Sequence, residues 1–289
     1  MLFTISHQSI YTYSRPVALD PHTLRQKPRQ DGSVILHEFS RSIYPKPGGT
    51  TDFIDLEGNP STQVWFEELT TTLKLSVQMV VETLRSNPFD YVLTDPDILT
   101  LPVRYPQHLH PNLLPYCQPS IVPSALNELV DPIADEADGM TLPFLSLLTA
   151  ALYREFAPMV RMEGAPWAPE VTLEKRQGTC RDLAVLFVEA CRTKGLAARF
   201  VSGYWNGTDV DGCQHLHAWA EIFLPQAGWR GYDPTAGLAV CDQYVPLAAG
   251  LHTSSAALIS GAYWGTDVTS TMESHLSVQP VESDSVNPQ

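Results

Sequence analysis

From Cys180 to Lys194 the chain contains neither proline nor glycine, and Leu183, Ala184, Val185, Leu186, Phe187, Val188, Ala190 and Cys191 occupy most of the circumference of the helix this run predicts. A helix apolar on nearly all sides cannot lie on a surface; other elements must pack around it. The run is therefore the centre of a layered core. Gly195 supplies a left-handed stop, and Arg192 and Lys194 fall in the last turn, where they complement the helix dipole.

Cys180 stands at the amino end of this helix, in Gly178-Thr179-Cys180-Arg181-Asp182-Leu183-Ala184. Unpaired backbone N–H groups and the partial positive charge there favour a thiolate and can bind an oxyanion. A free cysteine is more often a small buried hydrophobe, which is how Cys191 reads, but the polar neighbours Gln177, Thr179, Arg181 and Asp182 set Cys180 apart. Asp182, in the first turn, reads as a capping or dipole-stabilising residue.

Two later stretches answer to Cys180. Residues 197–205 and 216–224 suit strands, the second carrying His217, Trp219, Glu221 and Phe223 on one face. Pro225-Gln226-Ala227-Gly228 then turns the chain into 229–233, and Pro234 forces Asp233 to be extended. With Phe223 opposite Trp229, Asp233 faces Trp219 and His217 lies on its diagonal, roughly 7–8 Å between backbones and within side-chain reach. A slip of one residue would put the two on opposite faces. The expected chemistry is thiol attack on an acyl group: His217 moves the Cys180 proton and Asp233 fixes the imidazole. A rival reading sets Cys213, His215 and His217 on one strand face as zinc ligands; Asp211-Gly212 looks like a turn and no fourth ligand is placed, so it is not preferred.

Upstream, Thr72 to Glu82 alternates Leu73, Leu75, Val77, Met79 and Val81 with mostly polar residues, the pattern of a half-buried strand. Shorter candidates at 2–7, 9–14, 33–43 and 62–69, separated by turn clusters, predict an antiparallel sandwich over 1–85. His7 and His37 read as packing or surface residues. Residues 86–123, with eight prolines from Pro88 to Pro123, read as a connector running extended over the surface, and His108 and His110 within it as a weak metal pair. A helix capped by Thr141, with Pro143 in its first turn, should end by Pro158, and a short helical turn is expected near 173–175. The catalytic core is thus set at 124–265, followed over 266–289 by a last strand near 271–279 and an acidic tail from about 281.

The net charge of −14 argues against nucleic-acid and anionic-membrane partners. Five cysteines without regular spacing are not a disulfide framework. No basic-then-apolar leader and no long uncharged apolar run are evident, so a reduced, cytoplasmic protein is expected.

Four ordered blocks resemble the transglutaminase-like superfamily: residues 178–184, Ala198-Arg199-Phe200-Val201-Ser202-Gly203-Tyr204, His217-Ala218-Trp219-Ala220-Glu221, and Gly228-Trp229-Arg230-Gly231-Tyr232-Asp233-Pro234-Thr235. His7 to Val17 and Leu24 to Arg29 are similar to the bacterial transglutaminase-like N-terminal region that precedes such cores. The resemblance implies an α+β protein, an N-terminal antiparallel β-sandwich followed by a papain-like core whose cysteine helix packs on an antiparallel sheet. It also implies Cys180, His217 and Asp233 as the catalytic residues of a cysteine protease, amidase or transglutaminase acting on a peptide or protein substrate. The alternative is a non-catalytic peptide-binding module on the same fold. No acidic loop matches the calcium sites of animal transglutaminases, which implies no cofactor and metal independence. Arg181 stands where relatives often have glutamine, and Cys241-Asp242-Gln243-Tyr244 replaces a glycine-arginine-aspartate-tyrosine stretch. Trp167 and Gln177 are weak candidates for the oxyanion donor.

Overall fold

The computed structural model describes residues 1–120 and 123–281. Strand β1 (Leu2–Leu19) is followed by β2 (His22–Leu24), β3 (Val34–Tyr44), β4 (Gly49–Ile54), β5 (Pro60–Trp65) and β6 (Thr70–Thr83). The expected breaks within β1 do not occur. It is one continuous strand, and its pairing with β6 is interrupted only between Thr12 and Val17, around Pro16, which cannot donate to the ladder. The alternation read in residues 72–82 holds: Leu73, Leu75, Val77, Met79 and Val81 are all buried. They do not cover one partner. Leu73 and Leu75, with Tyr13 and Val17, pack on Leu24 and Val64 of the smaller sheet, while Val77, Met79 and Val81, with Phe3 and Ile5, pack on Tyr204, Val245 and Leu247 farther along the chain. One sheet face thus closes the sandwich and covers the core.

The stretch expected to run extended instead contains α1 (Pro96–Leu99) and α2 (His110–Cys117), each with a proline in its first turn, where the missing N–H is no loss. Ile98, Val103, Tyr105 and Leu113 are buried in the main core, and the Tyr105 hydroxyl donates to the Phe223 carbonyl at 2.7 Å. His108 and His110 are both exposed. After α3 (Asn127–Glu136), helix α4 (Thr141–Glu155) begins one residue away from the expected cap: Met140 is the N-cap, and the Thr141 hydroxyl donates to the buried Ile98 carbonyl at 2.7 Å instead. Strand β7 (Ala157–Pro158) pairs in parallel with β8 (Gln177–Gly178), and α5 (Pro169–Lys175) lies between them.

Helix α6 (Cys180–Thr193) then packs on an antiparallel sheet formed by β9 (Ala198–Trp205), β10 (His217–Leu224), β11 (Gly228–Asp233), β12 (Leu238–Ala239) and β13 (Tyr244–Gly250), in the order β12-β11-β10-β9-β13. Leu183, Leu186, Phe187, Ala190 and Cys191 share a core with Ala220, Ile222, Leu224 and Tyr232, while Trp219 packs with Val201, Tyr244 and Ala249. Gly195 has φ +76°, the left-handed stop expected of it. The chain then returns to its start. Strand β14 (Ile259–Ser260) joins β2, β15 (Tyr263–Trp264) joins β1, and β16 (Ser270–Pro280) pairs with β1 from Phe3 to Tyr13. The expected acidic tail lies, beyond Val281, outside the described residues. Among the described residues no helix is long and apolar enough to cross a membrane, and all five cysteines are free.

Candidate active site

Thr179 caps α6 reciprocally: its hydroxyl oxygen accepts from the Asp182 amide, and the Asp182 carboxylate accepts from the Thr179 amide at 2.8 Å. Capping is only part of what Asp182 does. Fully buried, it also accepts from the Thr179 hydroxyl at 2.8 Å, the Trp167 amide at 2.6 Å and the Arg161 guanidinium at 2.8 Å. Burial alone pushes its carboxyl up, but the Trp167 and Thr179 amides, the hydroxyl and Arg161 outweigh it and hold it below the usual carboxylate range. Arg181 donates to the carbonyls of Gly164 and Arg161, at 3.0 and 2.6 Å. Residues 161–167 are thereby fixed beside Cys180.

The hairpin has the expected register, Phe223 opposite Trp229. His217 Nε2 lies 2.7 Å from Asp233 Oδ2, and since a carboxylate only accepts, Nε2 carries the proton. Nδ1 is left free of Asp233, and Cys180 packs against the cluster that holds Ala218, the residue next to His217, so that its charge acts on the imidazole. Burial pushes His217 down; Asp233 and Cys180, by charge and hydrogen bonding, outweigh this and hold it well above the ordinary histidine range. Asp233 is also fully buried. Burial raises its carboxyl, but the His217 charge and hydrogen bond, the Tyr244 hydroxyl at 2.8 Å and the Thr235 amide at 2.8 Å bring it below its ordinary value. Nothing in the sequence around Tyr244 signals a role for it. It reaches Asp233 because β13 pairs with β9, Tyr244 opposite Trp205, and no local pattern shows that strand order. The Trp205 ring covers His217 at 4.8 Å between centroids.

A cavity of about 460 Å³ opens in front of Cys180. It is lined by Met159, Met162 and Phe200 of the core and by His7, Tyr11, Met272 and Ser274 of the first sheet. Asp209 also lines it, and its side chain makes no hydrogen bond or ion pair among the described residues. Trp167 and Gln177 do not line it; Trp167 instead stacks under Arg161 at 5.0 Å. The zinc reading of Cys213, His215 and His217 is not met, because His217 is buried and committed to Asp233.

His7, a packing residue as expected, sits between Tyr204 Oη at 3.0 Å and Ser274 Oγ at 3.1 Å, and burial lowers its pKa from 6.5 to about 4. A histidine with a folded-state pKa below its unfolded value binds fewer protons when folded, so stability falls as pH drops through that window. Between about pH 6.5 and 4 the wild type should lose about 2–3 kcal/mol more than His7→Gln, read from urea midpoints. Equal losses in the two proteins would refute this.

Comparison with known proteins agrees with the geometry at the level of family and fold. Residues 3–82 match the family model of the bacterial transglutaminase-like N-terminal region, and residues 151–234 that of the transglutaminase-like superfamily. An uncharacterized protein of Mycobacterium tuberculosis is 25% identical over 309 residues, covering 99% of this chain and 95% of that protein. A protein-glutamine gamma-glutamyltransferase of Pseudomonas aeruginosa is 31% identical over 83 residues, 26% of this chain and 12% of its own length. A solved structure described as a putative cysteine protease from Cytophaga hutchinsonii has the same fold, with a TM-score of 0.72 at 19% identity over 98% of this chain and 92% of that one. The chain thus places a stretch that matches a bacterial transglutaminase-like N-terminal region ahead of one that matches the transglutaminase-like superfamily.

Proposed function

We propose that the protein is a cysteine-dependent amide hydrolase or acyltransferase that acts on peptide or isopeptide amides through a thioester on Cys180. The observation that carries this is the buried His217–Asp233 pair, 2.7 Å apart, on the hairpin that packs against α6, at whose amino end Cys180 lines the cavity. His217 Nδ1 takes the thiol proton as the sulfur attacks the amide carbon. Backbone N–H groups at the start of α6 support the oxyanion. The C–N bond breaks, the departing amine takes the proton from His217, and the acyl group stays on sulfur. Water or a second amine then attacks the thioester, His217 accepts its proton, and the sulfur leaves and is reprotonated. Asp233 holds the imidazole by Nε2 throughout, and Trp205 screens the pair from solvent.

The protein gamma-glutamyltransferase relative supports an acyl donor of the glutamine type, and the mainly apolar cavity walls support a neutral group next to the scissile bond. The test is to incubate the protein with glutamine- and amide-containing peptides, with and without a primary amine. Mass spectrometry should find an acyl adduct on the Cys180 peptide, with acid products alone in water and amide products when amine is added. Absence of both adduct and product across the peptides would sink the proposal.

A further inference from the structure

We propose a second site: Asp211, Cys213 and His215 bind a zinc-class divalent cation at the rim of the cavity. The three lie on the loop between β9 and β10, outside the Cys180–His217–Asp233 set. A tight turn shapes the loop: the Gly212 amide donates to the Asp209 carbonyl and the Asp209 amide to the Cys213 carbonyl, each at 2.9 Å, with Gly212 at φ +77°. Alternate residues from within the turn onward converge. One carboxylate oxygen, the Cys213 sulfur and one imidazole nitrogen all lie within 4.8 Å of one another.

A tetrahedral ion with bonds of about 2.0–2.3 Å needs donor atoms roughly 3.3–3.8 Å apart, a spacing these three side chains bracket. Two details show how the ion would be held. The Cys213 amide donates to Asp211 Oδ1 at 2.9 Å, which orients the carboxylate and leaves Oδ2 as the ligand atom. That Oδ2 already lies 2.8 Å from His215 Nε2, where the metal takes the place of the shared proton. Asp211 and Cys213 are exposed, which gives an entry path and leaves the fourth position to water. Sulfur, nitrogen and oxygen donors together suit zinc or cobalt(II) and not calcium or magnesium. His215 also lines the cavity, so the ion adds positive charge at its rim without entering the chemistry at Cys180.

The experiment is titration of the reduced full chain with cobalt(II) as a spectroscopic stand-in for zinc. One equivalent should bind with a thiolate-to-cobalt charge-transfer absorption that zinc displaces. Cys213→Ser should abolish that absorption, and both Cys213→Ser and His215→Ala should weaken binding at least about tenfold, while Cys180→Ala leaves binding unchanged. The proposal is overturned if no thiolate–cobalt absorption forms, if it survives Cys213→Ser, or if Cys180→Ala removes it, which would put the metal on the nucleophile.

Discussion

Cys180→Ala is expected to lower kcat on any amide substrate by at least about 10⁴-fold while leaving the fold intact. The sulfur is the atom that carries the acyl group, and its half-exposed position at the mouth of the cavity means that its loss leaves no large void. His217→Ala should cost a comparable factor, and the double variant little more than either alone, because the two act as one unit. Asp233→Asn keeps the shape but offers an amide to Nε2, and should cost a similar factor by turning the imidazole to the wrong tautomer. Iodoacetamide at neutral pH should label Cys180 well before buried Cys191. Equal labelling, or full turnover by Cys180→Ala, would favour the alternative of a peptide-binding module without catalysis.

The second large effect is on folding. Asp182→Ala should destabilise the protein by about 3–5 kcal/mol, the usual result of removing one member of a buried ion pair. It would strand the Arg161 guanidinium and leave the Trp167 and Thr179 amides without an acceptor. Asp182→Asn should recover only part of this, since its NH₂ would meet donors. Because the Asp182 pKa is held low, its contribution is present at neutral pH and is lost as pH falls through the folded-state value. Urea unfolding at neutral pH measures the effect; a loss below about 1 kcal/mol would show that Asp182 is only a helix cap.

The parts of this architecture that repeat with a short period could be read from the chain. The apolar run of α6, the alternation of β6 and the β10–β11 register each follow from residues close in sequence, so His217 and Asp233 could be placed relative to one another. What could not be read depends on distant partners. A period of two identifies β16 as a strand but does not name β1 as its neighbour. Asp182 reads as a cap until Arg161 and Trp167 are folded onto it, and Tyr244 reaches Asp233 only through the placement of β13. The proline-rich stretch misled because proline at the start of a helix is well tolerated and because Ile98, Val103 and Tyr105 follow no period.

The pairing of β16 with β1 also sets an order of events during synthesis. Met272 and Ser274, which line the cavity with Cys180, leave the ribosome after every element of the transglutaminase-like core, and β1 must wait for them with one edge unpaired. The nucleophile helix and its histidine hairpin can fold before their substrate wall is complete. The cavity beside Cys180 is therefore complete only once β16 has been made and has paired with β1.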